Sequence, residues 1–83
     1  MTHIARNPRQ LGTIIQRARK AQGLNQTGLG EKAGLRQETV SLIENGNPAT
    51  KLETILAVLA ALDLELRIAP RSKGSAADIE DIF

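Results

Sequence analysis

The stretch "GLRQETVSLIENG", residues 34–46, confines the fold more tightly than any other part of the chain. Glycine at each end punctuates it, leaving room between for a helix of about two turns. Leu35, Val40 and Ile43 are apolar at helical spacing and anchor one side. Arg36, Gln37, Glu38 and Ser41 point elsewhere and are rich in hydrogen-bonding groups. A short helix thus offers donors and acceptors on the side it does not bury.

Its neighbours are helical too. Asn7 is a good N-cap and Pro8 suits the first helical position, where its missing N–H costs nothing. Leu11, Ile14, Ile15 and Ala18 then recur at i, i+3, i+4 and i+7, and Gly23 is placed for a left-handed C-cap, which predicts a first helix over 8–22. Asn25 can cap a second helix over 26–33, with Leu29 and Ala33 as its apolar pair. Gly28 and Gly30 lie inside it at about 1 kcal/mol each against alanine, so packing must hold it. The third helix, 37–44, has Arg36 at the N-cap, a residue with no acceptor to cap with. "NGNPA" is a turn, and Thr50 with Glu53 forms a capping box opening a fourth helix over 51–62. Leu52, Ile55, Leu56, Leu59 and Leu62 are its expected buried face, widened by Val58. "LELRIA" then alternates, with Leu64, Leu66 and Ile68 on one face against Glu65, Arg67 and Ala69 on the other, and reads as one strand. Pro70 stops it, and residues 70–83 read as a flexible acidic tail.

The chain of 83 residues is one small domain without cysteine. Domains of this size bury little more than half of the surface that the unfolded chain exposes, roughly 60%, and oligomerisation is the remaining usual source of stability. With a single histidine near the start and no cysteine, no metal or other cofactor is expected. Most nucleophile–base pairs are missing as well, so no enzymatic activity is expected. No apolar run suits a membrane helix or a signal peptide, and a cytoplasmic protein is expected. Charge is uneven: residues 1–51 carry eight Lys/Arg against three Glu, a net +5, while residues 52–83 carry three against six acids, a net −3. A basic front suits a polyanion.

Two short helices joined by a glycine-containing turn form a helix-turn-helix, here 26–33 and 37–44. In that motif the second helix enters the major groove of DNA. Gln37 can bridge adenine N6 and N7, Arg36 can pair with guanine or a phosphate, and Glu38 can accept from cytosine N4. Ser41 can donate or accept, and Leu42 can lie on a thymine methyl. Lys51, at the start of the fourth helix, is a candidate phosphate contact. The plain alternative is a solvated polar face, with Glu38 placed in the first turn to suit the helix dipole.

From "LGTIIQRARKAQGLNQTGLGEKAGLRQETVSLIENG" the chain resembles the phage-repressor (Cro/C1, or XRE) helix-turn-helix family over residues 10–62. The resemblance rests on an Arg-rich first helix, Gly-Leu, a Gln opening the second helix, Ala-Gly at the turn, apolar-Ser in the third, then Ile-Glu-Asn-Gly. It implies a mainly α, four-helix repressor-like domain. It also implies that Asn25, Gln26 and Asn45 meet phosphate while Arg36, Gln37, Glu38 and Ser41 read bases. Arg19 and Glu44 match a family pair that ties the first helix to the third. Gly28 and Gly30 depart from the pattern, Gly30 standing where a small alanine is usual.

The back half, a fourth helix running into "LDLELRI" and a tail, is similar to HipB-like antitoxins. That resemblance implies a homodimer closed by the strand, repression of its own operon, and binding to a HipA-type serine/threonine kinase toxin. A lone strand needs a partner for its backbone groups, and two copies can pair antiparallel about a two-fold axis through Leu64, Leu66 and Ile68. The expected division is residues 1–69 for DNA binding and dimerisation and 70–83 for the tail, where Ile79, Ile82 and Phe83 are apolar anchors for the toxin. A free-standing repressor without a toxin and a protein-interaction module on the same scaffold are the alternatives.

Overall fold

Four helices form where the local signals place them: α1 (Pro8–Ala21), α2 (Gln26–Ala33), α3 (Gln37–Glu44) and α4 (Leu52–Ala61). The computed structural model describes residues 3–71. Asn7 Oδ1 accepts from the Gln10 N–H at 2.8 Å and Asn25 Oδ1 from the Gly28 N–H at 2.7 Å, so α1 and α2 start on asparagine caps. Arg36 makes no side-chain cap bond, as its chemistry requires.

All four helices end in the same way. A residue at the C-cap or just past it takes a positive φ, at Gly23, Gly34, Gly46 and Asp63. The next N–H reaches back five residues: Leu24 to Arg19 O, Leu35 to Gly30 O, Asn47 to Leu42 O and Leu64 to Leu59 O. This is the Schellman arrangement, which favours glycine because a Cβ is crowded in the left-handed region. Only α4 ends it on another residue, Asp63 at φ 59.

The core unites Ile15 of α1, Leu29 of α2, Val40 and Ile43 of α3, Val58 and Leu59 of α4, and Leu62 just beyond it. α3 packs on both α1 and α2, and α2 also packs on α4. Two glycines let backbones touch. A Cβ on Gly12 would meet the Ile43 carbonyl and lie 2.6 Å from the Glu44 carbonyl oxygen, so α1 and α3 approach closely only through glycine. A Cβ on Gly30 would lie 2.6 Å from the Leu35 carbonyl oxygen. The turn thus folds back onto α2 against a position without a Cβ.

Two expectations for α4 fail. The Thr50–Glu53 capping box does not form: the helix starts one residue later, with Lys51 at the N-cap and no side-chain bond there. Thr50 is therefore one position too early to cap. Leu52 and Leu56 are 63% and 43% exposed, so the expected buried face is too wide. The core takes the Val58, Leu59 and Leu62 side of the helix and leaves the other side open.

No strand forms among the described residues. Beyond Leu64, residues 65–71 make no backbone–backbone hydrogen bond with other described residues, because a strand takes its bonds from a neighbour and α1–α4 present no sheet edge. Glu65 and Arg67, two residues apart, pair at 2.7 Å on one side. Leu64 packs on the core, while Leu66 and Ile68 are 51% and 94% exposed. Ile79, Ile82 and Phe83 lie outside the described residues.

Candidate nucleic-acid interface

α3 divides cleanly along its length. Val40, Ile43 and Glu44 are buried, which leaves Glu38, Ser41, Leu42 and Asn45, at i, i+3, i+4 and i+7, as the outward stripe. Leu42 is 52% exposed, Glu38 and Asn45 are exposed, and Ser41 is half-buried. Arg36 and Gln37 are both exposed at the start of the helix. The six exposed or half-buried residues therefore run from the N-cap of α3 to its C-cap.

The helix is held from behind by a buried charge pair. Arg19 Nε donates to Glu44 Oε2 at 2.6 Å and Nη2 to Oε1 at 3.0 Å, a bidentate fork. Arg19 Nη1 donates to the Leu24 carbonyl at 2.9 Å, so one guanidinium ties α1, the α1–α2 turn and α3 together. The hydrogen bond with Glu44 raises the Arg19 pKa; burial works against that rise and the Glu44 charge adds to it. The arginine thus stays charged throughout the physiological range. No buried side-chain nitrogen or oxygen among the described residues lacks a partner.

From this pair a chain of hydrogen bonds runs outward. Gln26 Nε2 donates to Glu44 Oε1 at 3.1 Å, and Gln37 Nε2 donates to Gln26 Oε1 at 2.6 Å. Gln37 keeps its carbonyl oxygen and its second N–H, the donor–acceptor edge that adenine N6 and N7 require. Its amide is thereby oriented before any ligand arrives. The sequence reading missed this link. Gln26 and Gln37 open two successive helices with a turn between them, so no helical period relates them.

The candidate phosphate contacts sit around this stripe. The Asn25 oxygen is occupied by its cap bond, which leaves its amide N–H groups uncommitted by that bond. Asn45 Nδ2 donates to the Ser41 carbonyl at 2.9 Å, folding its side chain along α3. Lys51 is exposed at the start of α4, beyond the 45–50 loop. The structure thus brings Gln26 and Gln37 together, and Ser41 and Asn45 together, with Arg36 and Lys51 on the segments that enter α3 and follow it.

Of the expected dimerisation residues, Leu66 borders an apolar groove of about 320 Å³. Pro8, Leu11, Ile43, Leu52, Ile55 and Leu66 line it. Leu66 reaches it, Leu64 belongs to the core behind, and Ile68 extends into solvent.

A family model described as Helix-turn-helix matches residues 15–68. Antitoxin HipB of Escherichia coli O6:H1 (strain CFT073) is 31% identical over 78 residues, covering 92% of this chain and 83% of that protein. Among solved structures, a HipB–O4 20mer complex matches with a TM-score of 0.77 at 29% identity, over 83% of this chain and 97% of the other. A HipA–HipB–O2–O3 complex matches with a TM-score of 0.76 at 31% identity, again over 83% and 97%.

Proposed function

The chain belongs to the Helix-turn-helix family, and on that premise we propose that it is a dimeric, sequence-specific DNA-binding repressor, the antitoxin of a HipA-type serine/threonine kinase toxin, which autoregulates its own operon. The observation that carries the reading is the outward side of α3, where the reader Gln37 is pre-oriented through Gln26 by the buried Arg19–Glu44 pair. Preorganised donors and acceptors on a short exposed helix suit base edges better than bulk water, which needs no fixed geometry. Arg36, Gln37, Glu38, Ser41 and Leu42 read bases, and Asn25, Gln26, Asn45 and Lys51 hold phosphate. Gln26 has a second duty as the support of Gln37.

Dimerisation completes the reading, because two-fold symmetry presents two copies of α3 to half-sites about 10 base pairs apart or a multiple of that. Leu64, Leu66 and Ile68 pair with their counterparts. The exposed Leu52 and Leu56 and the apolar groove favour this, since a second copy supplies what would cover them. Residues 1–69 hold DNA and the second copy. Residues 70–83 serve the protein partner through Ile79, Ile82 and Phe83. The toxin reading is supported by HipB relatives that align over most of this chain and by the complex that contains HipA.

The test is selection of duplexes from a random pool with the full chain, followed by footprinting. Enrichment of a pseudo-palindrome protected at two half-sites is expected. Recovery of no common site would overturn the reading as a sequence-specific repressor. Co-purification with a co-expressed HipA-type kinase tests the antitoxin part separately.

A further inference from the structure

We propose that Arg9, in the first turn of α1, is a further phosphate contact, which extends the DNA face beyond the helix-turn-helix onto the first helix. The proposal rests on the DNA-binding reading above and deepens it. Its starting point is a backbone contact. Gly46 has φ 85, and a Cβ placed on it would lie 2.8 Å from Arg9 Cα, 3.1 Å from Arg9 N and 3.2 Å from Arg9 Cβ. The first turn of α1 therefore rests directly on the loop that leaves α3. Gly46 adjoins Asn45, whose side chain folds back along the outward stripe to Ser41. Arg9 thus leaves its helix at the rim of the surface that carries the readers.

Among the described residues no ion pair accounts for an arginine there. Arg9 is exposed and takes part in neither the Arg19–Glu44 nor the Arg67–Glu65 ion pair. The first turn of α1 contains no acid, and Glu44, the acid closest to the loop in sequence, is buried and bound by Arg19. A cation in a helix's first turn also opposes the helix dipole, so the position is not one that stability favours. For DNA the placement is apt. A helix in a major groove about 12 Å wide has a phosphate strand on either side. Arg36 stands at the entry to α3, whereas Arg9 and Lys51 belong to segments that meet the loop at its exit. Arg9 then serves the backbone at the exit without reading sequence.

The measurement is fluorescence anisotropy of a random-sequence 30-base-pair duplex with the full chain, titrated at several KCl concentrations. Neutralising one phosphate per protomer contributes about 0.9 to the slope of log affinity against log salt. Arg9→Gln should lower the slope by about that amount per protomer, Arg9→Lys should retain it, and Arg71→Gln, the same charge loss in the acidic back half, should leave it unchanged. Thermal unfolding should show Arg9→Gln folded like the wild type. If Arg9→Gln keeps the wild-type slope while Lys51→Gln lowers it, the DNA reading stands and Arg9 has no part in it. If Arg9→Gln and Arg71→Gln lower the slope alike, the effect is one of net charge and the contact is overturned. A wild-type chain that does not bind the duplex would overturn both.

Discussion

Around α3 the chain buries a bidentate ion pair and satisfies its buried polar atoms, while around α4 and the segment after it Leu52, Leu56, Leu66 and Ile68 stand in solvent. The two regions are made by the same chain at the same scale, yet they differ in what they lack. The α3 region leaves no described buried polar side-chain atom unsatisfied. Its exposed groups are polar, apart from Leu42, and it can meet a partner as it stands. The α4 region exposes apolar surface and backbone groups without described partners, the two features that association removes together. A front satisfied within one copy and a back with uncovered apolar surface is the division of labour that the proposed dimeric DNA reader would use.

The largest effect should come from breaking the front at its buried pair. Arg19→Ala leaves Glu44 charged and nearly fully buried, with its side chain 1% exposed, which should cost about 3–5 kcal/mol in chemical or thermal unfolding. Replacing both partners by apolar residues, Arg19→Met with Glu44→Leu, should recover most of that stability. The double variant should nevertheless bind DNA less selectively, because Gln26 has lost the acceptor that orients Gln37. Recovery of stability together with full selectivity would show that the hydrogen-bond chain has no role in reading.

Breaking the back is the second test. Leu66→Pro removes a backbone donor from the proposed ladder and should weaken self-association by roughly tenfold or more, about 1.4 kcal/mol, in analytical ultracentrifugation. Helical circular dichroism should hardly change, since no helix includes Leu66. A wild type that is monomeric at micromolar concentration would overturn the comparison itself.

The smallest effect sharpens the boundary between the regions. Asp63 occupies the left-handed position that glycine holds at the ends of α1, α2 and α3. Asp63→Gly should relieve that conformational cost, offset in part by the freer unfolded chain, for a net gain of about 0.5–1 kcal/mol in thermal unfolding. A loss of stability would mean that the aspartate contributes something beyond ending the helix.

Sequence reading and structure agree where the cause is local and part where it is not. Asn7 and Asn25 cap within three residues, and the glycines end helices by a backbone conformation of their own, so the bounds of α2 and α3 are legible in the sequence. The Arg19–Glu44 pair was legible only through family resemblance, for its partners are 25 residues apart. Leu52 and Leu56 illustrate the opposite case. Helical period correctly sets them on an apolar face, but it cannot tell a face covered by this chain from one left for another. Gly12 is likewise silent in the sequence, because its role is fixed by the carbonyls of Ile43 and Glu44 that come to lie against it. Within the candidate interface, the residue types on α3 were readable, while the Gln26–Gln37 link needed the two helices set side by side.

The most direct test of the central claim, that the outward side of α3 reads base edges, is the affinity of Gln37→Ala for the selected duplex and for a random one, measured in parallel at one salt concentration. Binding to the selected site should weaken by about 1–3 kcal/mol, preference should relax at one base position per half-site, and binding to random DNA should change little. Equal losses on both duplexes would contradict it, making Gln37 a general backbone contact and the polar side of α3 no reader of sequence.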